Sequence, residues 1–265
     1  MAKGRVLIIA GSDSGGGAGI QADIKAVTMT GGYAMTAITA ITVQNTLGVF
    51  DVHPIPIKTI TDQIKVVLDD IGADTIKTGM LGTVEIVEAI AKSFADYAPT
   101  IPKIIDPVMI AKGGHSLLEN RAIDAVKSIL VPNAALLTPN APEAQALTGV
   151  TVETIDGQRR AAEKILKMGA KAVLVKGGHI EGATFTDLLA TEYDETFFDA
   201  VRINTNSTHG TGCTLASAIS SYLAQGQGLK DAVANAREYV FKAIETAKGF
   251  GHGHGPLNHN WNLHV

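Results

Sequence analysis

The segment S-T-H-G-T-G-C at residues 207–213 lies directly before a run of small and apolar residues whose spacing predicts a helix. The amides of a helix's first turn have no intrahelical acceptor, and together with the helix dipole they form a site for an anion. Gly210 and Gly212 let a phosphate approach the backbone closely. The segment therefore predicts a phosphate site. A plain tight turn with Thr211 as the N-cap is the alternative interpretation.

Neither of the two commonest phosphate-binding patterns accompanies this segment. Residues 17–22, G-A-G-I-Q-A, match the dinucleotide pattern G-x-G-x-x-A, but no acidic residue lies about 20 positions later to bind a ribose. No Walker A sequence ending in Gly-Lys-Ser or Gly-Lys-Thr occurs. The predicted phosphate site therefore belongs to a different framework.

Charged and amide side chains follow three other predicted strands. Asp106 stands before a proline that holds it extended, and its structural alternative is to cap a turn. Asn140 and Glu143, in N-A-P-E, open a predicted helix, where both also suit ordinary capping. Lys176 ends an apolar strand before two glycines. Because carboxylates bind Mg²⁺ and an ammonium suits nucleotide phosphate, these residues predict a magnesium–nucleotide site.

The elements that must position these residues alternate between short apolar strands and segments of helical periodicity. Such alternation predicts an α/β fold with a mostly parallel sheet, helices on both faces and a late antiparallel hairpin, because parallel neighbours need helical crossovers. We expect one domain over residues 1–265, with its ligand site at the strand carboxyl ends. Strands are predicted at residues 6–10, 33–43, 75–77, 103–105, 135–137, 172–175, 185–190 and 196–203. Helices are predicted at residues 21–29, 60–71, 84–94, 120–130, 143–147, 159–168, 212–224 and 229–248.

The composition excludes several classes of partner. Of the 265 residues 46% are apolar and 18% are charged, and the net charge is −4. No basic run offers a surface for nucleic acid or an anionic membrane. The apolar run near the N-terminus is too short for a signal peptide, and the lone Cys213 cannot form an internal disulfide, so we expect a cytoplasmic protein.

Motifs along nearly the whole chain carry a family resemblance. They are A-G-S-D-S-G-G-G-A-G-I-Q-A-D at 10–23, T-V-Q-N-T-L-G-V at 42–49, K-T-G-M-L at 77–81, D-P-V-M at 106–109, T-P-N-A-P-E-A at 138–144, V-K-G-G-H at 175–179, H-G-T-G-C-T at 209–214 and G-H-G-H-G-P-L-N-H at 251–259. Together they resemble the hydroxymethylpyrimidine kinase/phosphomethylpyrimidine kinase branch of the ribokinase-like superfamily. The resemblance implies a three-layer sandwich, a homodimer, and use of ATP and Mg²⁺. The implied reaction converts 4-amino-5-hydroxymethyl-2-methylpyrimidine to its monophosphate and then its pyrophosphate, for thiamine biosynthesis.

The resemblance also implies roles for individual residues. Gln44 matches the residue that hydrogen-bonds the aminopyrimidine edge, a task that suits an amide because it both donates and accepts. The remaining predicted pyrimidine-pocket residues are Gly11, Asp23, Met80 and Val108, of which Met80 is equally interpretable as core. The predicted nucleotide and magnesium residues are Asp106, Asn140, Glu143, Lys176 and Thr208, and the predicted anion hole is Gly210, Thr211, Gly212 and Cys213.

Cys213 stands where most sugar kinases of the superfamily carry an aspartate that accepts the proton of the attacking hydroxyl. A helix N-terminus can lower the pKa of a thiol, so the sequence predicts a weak base here. The second transfer starts from an anionic phosphate and needs no base. We therefore expect Cys213→Ala to slow the first transfer more than the second.

Three other functions compete with this interpretation. A pyridoxal kinase would phosphorylate a similar hydroxymethyl group, although Gln44 favours the pyrimidine. His209 and Cys213 could form a nucleophilic pair for acyl transfer, which leaves the charged residues without a role. A non-catalytic binding protein would keep Gln44 without turning over ATP.

Residues 111–116 suit a lid over the nucleotide. The histidines near the C-terminus are not accompanied by other types of metal ligand.

Overall fold

The computed structural model describes residues 4–109, 120–178 and 182–263. Within these ranges nine strands form one sheet in the order β3-β2-β1-β4-β5-β6-β7-β8-β9. The pairs from β2 through β1, β4, β5 and β6 to β7 are parallel, whereas β3, β8 and β9 pair antiparallel. The strands are β1 (Arg5–Ser12), β2 (Tyr33–Asn45), β3 (Gly48–Pro54), β4 (Thr75–Thr78), β5 (Lys103–Ile105), β6 (Leu136–Leu137), β7 (Ala172–Val175), β8 (Thr184–Thr191) and β9 (Glu195–Val201).

Eight α-helices accompany the sheet in the described ranges. They are α1 (Gly19–Met29), α2 (Ile57–Asp70), α3 (Val84–Tyr97), α4 (Asn120–Ala125), α5 (Ala141–Thr148), α6 (Ile155–Lys167), α7 (Thr211–Ala224) and α8 (Leu229–Glu245). A π-helical turn (Val126–Leu130) and a 3-10 turn (Val131–Asn133) continue α4. Across the portion of the chain that the structure describes, none of the helices has the length and apolar character needed to cross a membrane.

The sheet is the middle layer of three. One face packs against α2 to α6, and the other against α1, α7 and α8. The neighbouring residues Ile104 and Ile105 of β5 enter the two opposite cores, as the alternation of a strand requires. Strands buried on both faces explain the continuous apolar runs in the sequence, and the predicted α/β fold is confirmed.

Two differences from the predicted elements have physical reasons. Strand β3 was not predicted because it lies at the edge of the sheet, where its side chains are mostly exposed and carry no apolar alternation. Helix α6 begins four residues earlier than predicted, at Ile155, because the Thr154 hydroxyl caps it by accepting from the Gly157 amide at 3.1 Å.

Candidate active site

A cavity of about 1020 Å³ opens at the carboxyl ends of the parallel strands, beside the N-terminus of α7. Parallel strands bring residues that are distant in sequence to one edge of the sheet. The predicted site residues that line the cavity are Gly11, Gln44, Met80, Asp106, Val108, Asn140, Glu143, Lys176, Thr208, Gly210, Thr211, Gly212 and Cys213. Asp23 does not line it; this carboxylate is fully buried and pairs with Lys77, which does.

The start of α7 forms a cradle for an anion. Gly210 is the N-cap with φ 79°, and a Cβ there would lie 1.8 Å from the Gly17 carbonyl oxygen, so the position requires glycine. A Cβ on Gly212 would enter the space beside Lys176, 3.3 Å from its Nζ. The cradle therefore joins first-turn amides to an ammonium, which is the chemistry of phosphate binding.

Asp106, Glu143 and Lys176 form a charged cluster next to the cradle. Lys176 Nζ lies 3.2 Å from Asp106 Oδ1, which also accepts from the Thr138 hydroxyl at 3.0 Å. Burial alone would lower the pKa of Lys176, but the two carboxylates outweigh it and the net shift is upward. Burial raises the pKa of Glu143 to about 7, an effect that Lys176 opposes and Asp106 reinforces. Two carboxylates thus share one ammonium.

Asn140 and Glu143 also form a capping box at the start of α5. Asn140 Oδ1 accepts from the Glu143 amide at 2.9 Å, and Glu143 Oε2 accepts from the Asn140 amide at 2.8 Å. The capping interpretation is therefore confirmed. Because the same side chains line the cavity, capping orients them toward it and is compatible with a binding role.

The thiol of Cys213 lies in the cavity wall near Lys77. Burial raises the pKa of this thiol to about 12, and the Lys77 ammonium offsets only part of that rise. The expectation that the helix N-terminus lowers the Cys213 pKa is therefore wrong, because desolvation of the thiolate outweighs the helix dipole. The thiol is protonated at neutral pH.

Lys77 and Asp23 form a buried ion pair under the cavity. Lys77 Nζ donates to both Asp23 carboxylate oxygens, and the Ser217 hydroxyl donates to Asp23 Oδ1 at 2.7 Å. Burial by itself would lower the pKa of Lys77, but the Asp23 carboxylate reverses this and the net shift is upward. Sequence reasoning missed Lys77, although a lysine within the buried strand T-I-K-T signals a buried partner.

The β1–β2 side of the cavity is a narrow polar corner. Gln44 Nε2 lies 3.3 Å from His209 Nε2, which in turn lies 2.8 Å from Asp13 Oδ2. Nearby, the Met80 side chain covers Gly11 so closely that a Cβ on Gly11 would lie 2.2 Å from Met80 Cε. The corner therefore places the apolar Met80 side chain near the Gln44 amide. Sequence reasoning did not predict Asp13 as a site residue. Its position directly after β1, where strand-end residues face the ligand site, is the signal that could have found it.

The opposite wall of the cavity has an apolar part set among charged side chains, which include Asp199, Arg202, Arg237 and Glu238. It is built from β9, the residues after it and α8, and its apolar members include Phe198, Val201, Ile203, Val240 and Ile244. Such a wall suits a flat ring such as a nucleotide base. Sequence reasoning named none of these residues, because an apolar side chain in a pocket has the same pattern as one in the core.

The C-terminal segment packs against the β2–β3 turn and His209. The His254 amide donates to the Thr46 carbonyl at 2.9 Å, and the His209 amide donates to the Gly255 carbonyl at 3.0 Å. A Cβ on Gly253 would lie 2.1 Å from the Thr46 carbonyl oxygen, so the segment sits tightly on the β2–β3 turn. The close approach accounts for this glycine.

The histidines of this segment do not assemble a metal centre in the described residues, where no group of three or more potential ligands occurs. His259 is buried and contacts the Thr214 hydroxyl at 2.9 Å, and burial lowers its pKa to about 4. It is a neutral packing residue. The predicted lid at residues 111–116 lies outside the described residues.

Comparison with known sequences points to one family. The profile of the family described as phosphomethylpyrimidine kinase matches residues 13–258. The hydroxymethylpyrimidine/phosphomethylpyrimidine kinase of Bacillus subtilis is 46% identical over 259 residues, covering 96% of this chain and 94% of that protein. The thiamine biosynthesis bifunctional protein ThiED of Geobacter sulfurreducens is 46% identical over 257 residues, covering 97% of this chain and 52% of that protein. The chain thus spans about half the length of the latter.

Solved structures share the fold. The phosphomethylpyrimidine kinase of Clostridium difficile 630 superposes with a TM-score of 0.81 at 42% identity, covering 91% of this chain and 99% of that one. An ADP complex of Bacillus subtilis pyridoxal kinase gives a TM-score of 0.91 at 36% identity, covering 98% and 99%. A Staphylococcus aureus pyridoxal kinase with AMP-PCP and pyridoxal gives 0.91 at 33%, covering 100% and 96%. The predicted ribokinase-like fold is confirmed.

Proposed function

Because the chain belongs to the phosphomethylpyrimidine kinase family and is a kinase of hydroxymethylpyrimidine and its phosphate in thiamine biosynthesis, we propose that both transfers occur in the cavity described above, with ATP as the donor. The observation that carries this proposal is the position of the α7 cradle. It lies in one continuous cavity with the apolar wall at β9 and α8 and the polar corner at Gln44. A nucleotide base and a pyrimidine would each find a suitable surface on either side of a phosphate site.

The nucleotide phosphates are proposed to lie at the cradle. The amides of Gly212 and its first-turn neighbours would hold the transferred phosphoryl group, and Lys176 would neutralise part of its charge. Thr208, at the entrance to the cradle, and Asn140, at the start of α5, complete the proposed nucleotide contacts. The apolar wall from Phe198 to Ile244 would take the base.

The donor set at Asp106 and Glu143 fits Mg²⁺. Both carboxylates line the cavity beside Lys176, and burial together with the Asp106 carboxylate raises the pKa of Glu143, so a further cation there would be stabilised. Mg²⁺ prefers oxygen ligands and uses few protein carboxylates, with water and phosphate completing its shell. When bound, the ion would neutralise phosphate charge during transfer. Asp106 and Glu143 are therefore the proposed magnesium residues.

The two transfers place different demands on Cys213. In the first, the hydroxymethyl oxygen loses its proton as it attacks phosphorus. The protonated thiol cannot accept that proton, so it would hold the hydroxyl in place as a hydrogen-bonding neighbour, and the proton would pass to an oxygen of the transferred phosphoryl group. In the second, the attacking phosphate oxygen is already anionic. Phosphoryl transfer depends chiefly on positioning and charge neutralisation, so the cradle supports both steps.

The proposal is tested by incubating the protein with ATP, Mg²⁺ and 4-amino-5-hydroxymethyl-2-methylpyrimidine and following products by mass spectrometry. We expect monophosphate first and pyrophosphate later, and we expect Gln44→Ala to weaken both steps. Pyridoxal is the comparison substrate, because pyridoxal kinases share the fold at a TM-score of 0.91. Strong turnover of pyridoxal with weak turnover of the pyrimidine would overturn the assignment.

We further propose a cytoplasmic homodimer. Val43, Leu47 and Phe50 at the β2–β3 edge are 56%, 62% and 65% exposed, and clustered apolar side chains on a surface mark an interface. Light scattering should give twice the 27.6 kDa chain mass, and Phe50→Glu should give a monomer. Tyr193→Glu, at a site 89% exposed away from this edge, is the control. A monomeric wild type would exclude the dimer.

A further inference from the structure

The side-chain amide of Gln44 lies between two hydrogen-bonding groups, and their protons determine which way it must face. Its Nε2 lies 3.3 Å from His209 Nε2, and its Oε1 lies 3.1 Å from the Thr42 hydroxyl. An amide nitrogen can only donate and an amide oxygen can only accept. The orientation is therefore decided by whether His209 and Thr42 act as donors or acceptors toward Gln44.

The contact with Asp13 decides whether His209 Nε2 carries a hydrogen. Its Oδ2 lies 2.8 Å from His209 Nε2 and also accepts from the amides of Gly17 at 3.0 Å and Ala18 at 2.8 Å. Burial alone would raise the pKa of Asp13, but His209 and the amides of Ala18 and Gly15 outweigh it and the net shift is downward. An ionised carboxylate can only accept, so His209 Nε2 carries a hydrogen. An N–H group of Gln44 directed at that atom would set two donors against each other.

The Thr42 hydroxyl completes the argument from the other end of the amide. It donates to the Ser12 carbonyl at 2.8 Å, which is shorter than its 3.1 Å contact with Gln44. A hydroxyl has one proton, so Thr42 can only accept from Gln44. Rotating the amide by half a turn removes both conflicts. We propose that Asp13 and His209 are positioning residues that, with Thr42, hold Gln44 with its oxygen toward His209 and its nitrogen toward Thr42.

The fixed orientation has a consequence for the substrate, which rests on the proposed function. In 4-aminopyrimidine the ring nitrogen N3, the amine at C4 and the hydroxymethyl group at C5 follow one another along one side. An oxygen on the His209 side of Gln44 accepts from the amine, so the hydroxymethyl group extends past it on that same side. His209 directly precedes Gly210 and the cradle. The reverse amide would turn the ring and direct the hydroxymethyl group away from the phosphoryl donor.

The test compares kcat/KM for the 4-amino substrate and for its 4-oxo analogue, which presents N3–H as a donor and the oxygen as an acceptor. Wild type should prefer the amine by about 10³-fold or more, because a fixed amide leaves the analogue's edge unpaired. His209→Met removes the N–H and frees the amide to rotate, so the preference should fall by about 100-fold. His209→Gln keeps an N–H at the same reach and should retain the preference within about threefold.

Thr42→Val provides a second test that leaves Asp13 and His209 unchanged. It should reduce the preference for the 4-amino substrate over the 4-oxo analogue by about tenfold, because one hydrogen bond to Gln44 is lost. Should His209→Met fail to fold, this test and the ¹⁵N chemical shift of His209 Nε2 in wild type decide the question. A shift typical of a non-protonated ring nitrogen, or an unchanged preference in Thr42→Val, overturns the inference. Absence of pyrimidine turnover in wild type would instead overturn the proposed function.

Discussion

Lys77 Nζ lies 2.9 Å from each carboxylate oxygen of Asp23, and neither side chain has solvent exposure. The pair joins β4 to α1 beneath the cavity, 54 residues apart in sequence. A buried pair contributes little relative to apolar packing, but removing one partner leaves a charge without compensation. Loss of either partner should therefore destabilise the fold and disturb the cavity floor.

Lys77→Met should lower the free energy of unfolding by about 3–5 kcal/mol, because it leaves the Asp23 carboxyl group buried without its cation, and burial already raises the pKa of that group. Adding Asp23→Asn should recover a large part of that loss. Urea denaturation of the two single variants and the double variant measures the coupling. Lys58→Met, at an exposed pair with Asp62, is the control and should change little. Additive effects of the two buried substitutions would contradict the prediction.

Gly212→Ala should separate stability from activity. Alanine favours the first turn of α7 by about 0.5–1 kcal/mol over glycine, but its Cβ would occupy the cradle 3.3 Å from Lys176 Nζ. We expect a higher melting temperature together with a kcat about 10²-fold lower. Calorimetry and steady-state kinetics check the two parts. Gly228→Ala, at the start of α8, should leave kcat unchanged, and full activity in Gly212→Ala would remove the cradle from the mechanism.

Cys213 should be a slow nucleophile toward alkylating reagents. A pKa of about 12 leaves roughly 10³-fold less thiolate at neutral pH than an ordinary cysteine. Mass spectrometry of iodoacetamide labelling against free cysteine measures this ratio. Labelling at the rate of free cysteine would show that the thiol is not desolvated.

Cys213→Ala should slow the first phosphoryl transfer more than the second, because only the first starts from a neutral hydroxyl that the thiol holds in position. Single-turnover assays with the alcohol and with its monophosphate report the two steps separately. Cys213→Ser, which keeps a hydrogen-bonding group, should lose less than alanine in the first step. Equal losses in both steps would show that Cys213 acts on the cradle rather than on the hydroxyl.

Glu143 should make the ligand-free protein less stable as the pH rises. Its folded-state pKa of about 7 lies above the ordinary glutamate pKa of 4.5, so the folded state binds the extra proton between these values. Stability is then largest below about pH 4.5 and declines as the pH rises through 7, by up to about 3 kcal/mol in all. Glu143→Gln, which can still accept from the Asn140 amide, should remove this component. Parallel pH curves for wild type and Glu143→Gln would contradict it.

The sequence predicted the strand-end and helix-start positions, because these depend on local order along the chain. The residues after β5, β6 and β7 were identified because parallel strands end at one edge of the sheet, and Asn140 was identified by its helix start. The Lys77–Asp23 pair depends on packing between distant segments, which periodicity does not reveal. The apolar wall at Phe198 and Ile244 carries no pattern that distinguishes a pocket from a core.

The error over Cys213 has a related cause. Its place at a helix start is visible in the sequence, and so is the expected dipole effect on its pKa. Its burial among Lys77, Asp23 and Asp106 is a property of the assembled fold, and desolvation decides the direction of the shift. Local position thus located the thiol at the start of α7 and predicted the wrong direction of its pKa shift.

The contact between Thr46 and Gly253 joins segments 207 positions apart. Because the chain between them must fold before they can meet, the contact depends on the assembled fold rather than on local order.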